Sequence, residues 1–224
     1  MSTAQTMASV ALDFPDVTLT QHAEALVLYS TQPLRVLSSA VVGGGLTCVR
    51  YLLNRHVHRA YDCADPLADM VAFARRQGIV EAFVGQMTAV PLRTVQVHTQ
   101  RADTLTVAIA LTAGLGNAAA PGISPPAVTG PGTINMMLLL DACLAPAALV
   151  NAVITATEAK AHVLLSHGVR TPEGAAATGT STDAIAIATT GRGPLLPYAG
   201  PVTTVGWLIG CCVRTALQAA LAHA

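Results

Sequence analysis

Four hydroxyl side chains precede a carboxylate in one short segment, Thr178–Asp183. Hydrolysis of an amide needs a nucleophile, a proton shuttle and hydrogen-bond donors for the tetrahedral oxyanion. Thr180 or Ser181 could supply the nucleophile with Asp183 as its base, or Asp183 could activate water directly. By spacing alone, the same segment is also typical of a polar turn that enters a strand.

A single lysine, Lys160, occurs in the 224 residues, and it follows Glu158 by two positions. At about 100° per residue, a helix in this region places Lys160 on the apolar face, seven residues after Val153, and Glu158 well off that face. A buried ammonium group is costly unless it is paired, so Lys160 is a candidate catalytic or substrate-binding cation. A structural ion pair is the alternative, and for Glu158 an ordinary solvated carboxylate is the alternative.

Histidines and cysteines give weaker signals. His56 and His58 lie on one side of an extended segment, but a third ligand at metal-binding spacing is missing, so no metal site is predicted. Cys63 could be a nucleophilic thiol, but no neighbouring residue in the sequence would activate it. Cys211 and Cys212 are expected to pack inside a helix.

Three helices and seven or eight strands are expected to position these residues. Asp65–Gln77 has a capping aspartate, a proline in the first turn and a glycine after its end. A long helix is predicted for Pro146–His167, and a last one from Thr203 or Thr204 to about Ala222. Strand patterns cover the following segments: 25–29, 34–42, 80–84, 94–99, 104–112, 133–140 and 182–189.

These elements predict an α/β protein of the α+β type. It is expected to have a single domain, with a mixed, largely antiparallel sheet flanked by helices, because short turns join many of the strands. Residues 1–16 are interpreted as a flexible N-terminal segment and 17–224 as the domain. Two loops rich in small residues, 113–131 and 170–179, are expected between elements. The Gly114-x-Gly116 pattern lacks the rest of a dinucleotide-binding fingerprint, so a nucleotide fold is rejected.

Composition excludes several classes of function. Twelve basic side chains balance twelve acidic ones with no basic run, which argues against nucleic acid as a partner. The most apolar stretch, 132–150, is interrupted by Asp141 and Pro146, and no membrane association or secretory signal is expected. Five cysteines without disulfide spacing favour a cytoplasmic protein. Because only 11% of residues are charged, a homo-oligomer is expected.

An ordered set of segments resembles the adenosylcobinamide amidohydrolase family (CbiZ) from about residue 30 to the end. The segments are Leu37–Leu46 with its Gly43-Gly44-Gly45, Asn54–Val57, Thr112–Ala118, Gly132–Asn135, Ala156–Lys160, Ala177–Ala184 and Ala199–Pro201. The lone lysine and the hydroxyl-rich segment both lie inside this set. His58 and Cys63 lie outside it.

The resemblance implies hydrolysis of the amide that joins aminopropanol to the corrin of adenosylcobinamide, which gives adenosylcobyric acid in corrinoid salvage. Cobalt then belongs to the substrate, and no further cofactor is required. Lys160, Glu158, Asp183, Thr180 and Ser181 are the catalytic candidates. The candidates for holding the amide-fringed corrin are Gly43, Gly44, Gly45, Asn54, Asn117, Thr133 and Asn135.

Two other functions stay open at this point. The first is an amidase that acts on another substrate through a threonine or serine nucleophile; a self-processing amidase of this kind would leave two fragments. A corrinoid-binding protein without turnover would bind the substrate and release nothing.

Overall fold

The computed structural model describes residues 8–126 and 132–222. Its helices are α1 (Pro66–Arg76), α2 (Pro146–Ser166) and α3 (Thr204–Leu221), with a short 3-10 helix at Leu92–Thr94. Its strands are β1 (Ala8–Val10), β2 (Val17–Gln21), β3 (Ala25–Ser38), β4 (Gly45–His56), β5 (Phe83–Thr88), β6 (Gln96–Ala102), β7 (Leu105–Gly114), β8 (Ala118–Ala119), β9 (Thr133–Leu140), β10 (Cys143–Leu144), β11 (Gly179–Thr180), β12 (Ala184–Thr189) and β13 (Leu195–Leu196).

One nine-stranded sheet dominates the fold, in the order β1-β2-β3-β12-β9-β7-β6, with β4 paired to β3 and β5 paired to β4. Most neighbours are antiparallel. The parallel pairs in this sheet are β4 with β5, joined through α1, and β9 with β12, joined through α2. The predicted α/β class and the mixed, largely antiparallel sheet are confirmed.

The sheet curls so that β4 and β5 lie over β7 and β9, and this curvature divides the core. Apolar side chains inside the curl, such as Leu28, Leu52 and Met137, pack on one another. On the outer face of β7, β9 and β12, side chains such as Leu138 and Ile187 pack under α2 and α3. Strand β9 is buried along its whole length because successive side chains enter the two layers alternately.

Local sequence signals set the helix ends as predicted. The side chain of Asp65 accepts a hydrogen bond from the backbone N–H of Ala68, and Gly78 adopts a φ of 79° just beyond α1. Thr203 caps α3 by accepting from the N–H of Gly206. The buried side chains of α1 are Met70, Phe73 and Ala74, whereas Leu67 in the first turn is exposed.

Strand boundaries differ from the sequence-based expectation where long-range pairing decides them. The two predicted strands at 25–29 and 34–42 are one strand, β3, with a register shift between Tyr29 and Leu34. The strand predicted at 80–84 is β5, which begins at Phe83 because its pairing with β4 begins there. Ala8–Val10, inside the segment expected to be flexible, pair with β2, whereas residues 1–7 lie outside the described residues. Treating 17–224 as one domain stays a prediction.

Helices α2 and α3 are long and apolar enough to cross a membrane by length and composition, which was not expected from the interrupted stretch at 132–150. Their most apolar windows are 44% and 50% buried inside the protein. Core helices of water-soluble proteins have the same character, since one face packs against a sheet.

Gly206 lets the start of α3 approach the preceding loop very closely. A Cβ atom at this position would overlap the carbonyl oxygen of Gly200, whereas a Cβ at Gly210, one turn later, would meet nothing within 4 Å. We expect Gly206→Ala to reduce the free energy of unfolding by about 1–3 kcal/mol, because the loop or the helix must shift. Gly210→Ala, the matched control, is expected to be neutral or to stabilise by up to about 1 kcal/mol through helix propensity.

Urea denaturation of both variants at one protein concentration measures the difference. Equal stability of the two variants would contradict the close approach at Gly206.

Candidate functional site

Five strand ends converge at one edge of the curled sheet. The carboxyl ends of β4, β5 and β7 meet the amino ends of β9 and β12 there, because β9 and β12 are parallel to each other and β7 runs antiparallel to β9. Residue Ala184 lies opposite Asn135, and Gly114 lies opposite Thr133. The convergence brings the predicted segments around 54, 133 and 183 together, although they are far apart in the chain.

Lys160 and Asp183 form an ion pair at this edge. The Lys160 side chain is 9% exposed and that of Asp183 is 15% exposed, so water screens the pair little. Lys160 extends from the inner face of α2, as the helix phase predicted, and its Nζ donates to Oδ2 of Asp183. Gly179 lies against both groups, since a Cβ there would be 2.6 Å from Asp183 Oδ2 and 2.8 Å from Lys160 Nζ. A glycine at this position therefore allows the pair to form.

The second carboxylate oxygen of Asp183 is held by two donors. The Thr180 hydroxyl donates to Oδ1 at 2.5 Å, and the backbone N–H of Ile134 donates to the same atom at 3.0 Å. The carboxylate of Asp183 thus pairs with a cation and accepts hydrogen bonds from a hydroxyl and a backbone amide, and these contacts fix its orientation. A hydroxyl hydrogen-bonded to an oriented carboxylate is the arrangement required for proton transfer.

Further hydroxyls surround this centre. Asn117 donates from Nδ2 to the Ser181 hydroxyl at 2.6 Å, and Ser181 is exposed. The Thr133 hydroxyl lies 2.8 Å from the carbonyl oxygen of Thr182 and 3.0 Å from Oδ1 of Asn135. Strand β11 pairs with β8, which lies inside the loop predicted at 113–131, so this part of the loop is regular structure.

A buried amide network lies beneath the centre. Asn135 Nδ2 donates to Asn54 Oδ1 and to the carbonyl oxygen of Met87, both at 2.8 Å, and Asn54 Nδ2 donates to the Thr112 hydroxyl at 3.0 Å. Asn54 and Asn135 are each 1% exposed. Their amides bind other parts of the protein, so their position favours holding the strand ends in place over direct contact with a substrate.

Replacing Asn135 by alanine is expected to lower the free energy of unfolding by about 2–3 kcal/mol. The change leaves Asn54 Oδ1 and the Met87 carbonyl without this buried donor, and the cost of unpaired buried polar groups exceeds the net value of a hydrogen bond. Urea denaturation would detect the loss, with Gln218→Ala on the exposed face of α3 as the control. A loss below about 0.5 kcal/mol would show that the network contributes little.

Cavities open on both sides of Asp183. One, of about 350 Å³, is lined by His58, Arg59, Thr133 and Thr182 among others. It adjoins a cavity of about 580 Å³, with which it shares Arg59, Ala89 and Gly132. Another, of about 490 Å³, is lined by Lys160, Thr180 and Ser181. These volumes are in the range of small-molecule sites.

Other predicted site residues lie elsewhere. Glu158 is exposed and lines a separate cavity between α2 and α3, so the structure does not bring it to Asp183. Gly43–Gly45 join β3 to β4. Gly43 and Gly45 adopt positive φ angles, and a Cβ on Gly43 would be 2.5 Å from the carbonyl oxygen of Phe83. The triple glycine is therefore explained by a tight turn pressed against β5. Gly130 and Pro131, at the end of the loop predicted at 113–131, lie outside the described residues.

The loop after β4 contributes residues that sequence reasoning missed or set aside. His58, Arg59 and Tyr61 line the 350 Å³ cavity. The Tyr61 hydroxyl donates to Asp69 of α1 at 2.7 Å, and this hydrogen bond, with that of Arg55, holds the pKa of Asp69 below its usual range. The contact anchors the loop beside the cavity. No local pattern signals it, because its partner belongs to another element.

Within residues 8–126 and 132–222, no three His, Cys, Asp or Glu side chains lie close enough together to hold a metal ion. His56 and His58 therefore have no third ligand of these types among the described residues. The groups around Asp183 include a cation, hydroxyls and backbone amides.

Known proteins resemble the chain along most of its length. Residues 12–224 match the family model described as CbiZ, adenosylcobinamide amidohydrolase. A Methanosarcina mazei protein named adenosylcobinamide amidohydrolase is 34% identical over 82% of this chain and 88% of its own. A Halobacterium salinarum protein of the same name is 38% identical over 56% of this chain and 54% of its own. The crystal structure of the PH0078 protein from Pyrococcus horikoshii OT3 shares the fold, with a TM-score of 0.54 at 9% identity over 96% of this chain and 83% of that one.

Proposed function

The chain belongs to the adenosylcobinamide amidohydrolase family, and we propose that it hydrolyses the amide between aminopropanol and the corrin of adenosylcobinamide at the Lys160–Asp183 centre. The products are adenosylcobyric acid and 1-amino-2-propanol, and the reaction serves corrinoid salvage. The observation that carries the assignment of the site is the ion pair itself: the one lysine of the chain holds a carboxylate that also accepts the Thr180 hydroxyl.

Asp183 acts as the general base in this proposal. It takes a proton from the attacking group, either a hydroxyl or a water molecule at the cavity wall, and returns it to the nitrogen of the leaving amine. Attack by a hydroxyl forms an ester with the corrin carboxyl as the amine leaves, and a water molecule then hydrolyses this ester, which releases the acid and restores the hydroxyl. General acid–base catalysis of this kind contributes about 10²–10⁴-fold. Lys160 orients Asp183 through the ion pair, and its charge also stabilises the developing oxyanion.

The corrin occupies the two adjoining cavities of about 350 and 580 Å³ in this proposal. His58 and Arg59 line the cavity of about 350 Å³, whereas Lys160 lines the separate cavity of about 490 Å³, and Asp183 lines both. Polar groups of the 350 Å³ cavity, including Thr133 and the exposed Thr182, suit a substrate with a fringe of amides, since amides pair with hydroxyls and backbone groups.

We further propose that the protein acts in the cytoplasm as a homo-oligomer, without nucleic acid or membrane partners and without a metal ion of its own. The cobalt belongs to the substrate. Treatment with a chelator followed by desalting is expected to leave the turnover rate unchanged. Loss of activity that returns only with a divalent metal would contradict this part of the proposal.

The proposed reaction is tested by incubating the purified protein with adenosylcobinamide. Liquid chromatography with mass spectrometry should detect adenosylcobyric acid and 1-amino-2-propanol in equal amounts. Binding of the corrinoid without release of either product would instead support a non-catalytic binding protein, which the names of the relatives do not favour. The intact mass of the chain separates a self-processing amidase from both, because self-processing leaves two fragments.

A further inference from the structure

The outer face of the α2–α3 layer is unusually apolar for a surface exposed to water. Trp207 is 55% exposed, Val150 52% and Ile154 48%, and Val202 in the loop before α3 is 98% exposed. We call the exposed parts of α2, α3 and the loop 198–202 the outer helical face. Large exposed apolar patches on soluble proteins mark interaction sites.

This face also carries one acidic and one basic side chain that have no salt bridge within the described residues. Val150, Ile154 and Glu158 follow one another at intervals of four residues, so they lie along one line of α2. Trp207 and Arg214 lie two turns apart on the neighbouring helix α3. Glu158, Trp207 and Arg214 line one groove of about 500 Å³ between the two helices.

We propose that the outer helical face binds a second copy of this chain in a two-fold dimer, in which Glu158 of each protomer meets Arg214 of the other. A two-fold interface brings one surface against itself, so a patch must offer both a charge and its counter-charge, and both a projection and a groove. Glu158 and Arg214 are the charges, and Trp207 projects beside the groove. Aromatic and arginine side chains are the usual energetic centres of such interfaces.

A lipid surface fits the same face less well. Helices that lie on membranes carry several lysines or arginines on their polar side. On α2 and α3 together, Arg214 is the one exposed lysine or arginine, since Lys160 is buried, and Glu158 would oppose anionic headgroups. The proposal does not depend on the reaction assigned above, because this face lies on the side of α2 away from Lys160.

Light scattering coupled to size exclusion tests the dimer at micromolar concentration. The wild-type protein is expected at twice the chain mass, and Trp207→Ala is expected to weaken the dimer about thirtyfold or more. The single variants Glu158→Arg and Arg214→Glu are each expected to be monomers, because each places like charges together twice. An equimolar mixture of the two should form heterodimers, since both contacts then join opposite charges.

Monomeric wild-type protein would overturn the proposal. A wild-type dimer that Trp207→Ala does not weaken would place the interface elsewhere, and a mixture of the two charge variants that stays monomeric would overturn the Glu158–Arg214 contact. Monomeric protein that sediments with vesicles of phosphatidylcholine and phosphatidylglycerol would assign the face to a membrane instead. Thermal melting of each variant shows whether it is folded. If a charge-reversal variant does not fold, the effect of Trp207→Ala on the dimer is sufficient to show whether the outer helical face forms the interface.

Discussion

Replacing Asp183 by asparagine is expected to reduce kcat for adenosylcobinamide hydrolysis by about 10²–10⁴-fold. Asparagine keeps the shape of the side chain and can still accept from the N–H of Ile134, but it cannot take up a proton from the attacking group. The loss should therefore fall mainly on kcat, with a smaller change in KM. Steady-state kinetics with detection of 1-amino-2-propanol measures both constants.

Glu173→Gln is the matched control, since Glu173 is an exposed carboxylate in the segment between α2 and β11. It is expected to retain wild-type rates. If Asp183→Asn kept kcat within about threefold of wild type, below the range of acid–base catalysis, the base would have to be another group. Thr180→Val, Thr133→Val and Ser181→Ala then show which hydroxyl, if any, the reaction requires.

Replacing Lys160 by methionine is expected to lower the free energy of unfolding by about 3–5 kcal/mol, because it leaves the Asp183 carboxylate largely buried without its cation. The double variant Lys160→Met with Asp183→Asn removes both charges and should recover a large part of this loss. It should not recover turnover. Urea denaturation of the two single variants and the double variant gives the interaction energy directly.

Glu173→Gln, the exposed carboxylate that serves as the control above, should change stability by less than about 0.5 kcal/mol. Losses for Lys160→Met and Asp183→Asn that simply add in the double variant would show that the two groups do not stabilise each other. In that case the ion pair would not be what orients the carboxylate.

The sequence was most informative where local rules decide the structure. Helix phase alone predicted that Lys160 points inward and that Glu158 does not, because 3.6 residues per turn fix the relative directions of two side chains on one helix. The caps at Asp65 and Thr203 could also be predicted, because each side chain bonds a backbone N–H only three residues later. Asp183 was already a candidate site residue, but no local pattern indicated that it forms an ion pair with Lys160, because 23 residues separate the two.

Contacts between distant segments could not be read from the chain. Asn54 and Asn135 were predicted to bind substrate, and the structure places them in a buried network that spans 81 residues of sequence. An asparagine in a strand looks the same in sequence whether its amide faces a ligand or a neighbouring strand. Whether either residue also contacts a corrinoid stays a prediction. The start of β5 was misplaced for a related reason, because its partner strand β4 determines it.

The central pairing of the sheet has a consequence for how the chain reaches its native state. The Ser38 hydroxyl bonds the carbonyl oxygen of Ile185, which is 147 residues away, and β3 pairs with β12 along this seam. Asp183 directly precedes β12, so the strand that follows the proposed catalytic carboxylate pairs with β3 only when the first and last thirds of the chain have joined. Closing loops of this length is entropically costly, and high contact order slows folding. During synthesis, strands β1 to β4 are complete long before β12 is made. Until then, the edge of β3 from Arg35 to Ser38 has no strand partner on the side where β12 pairs.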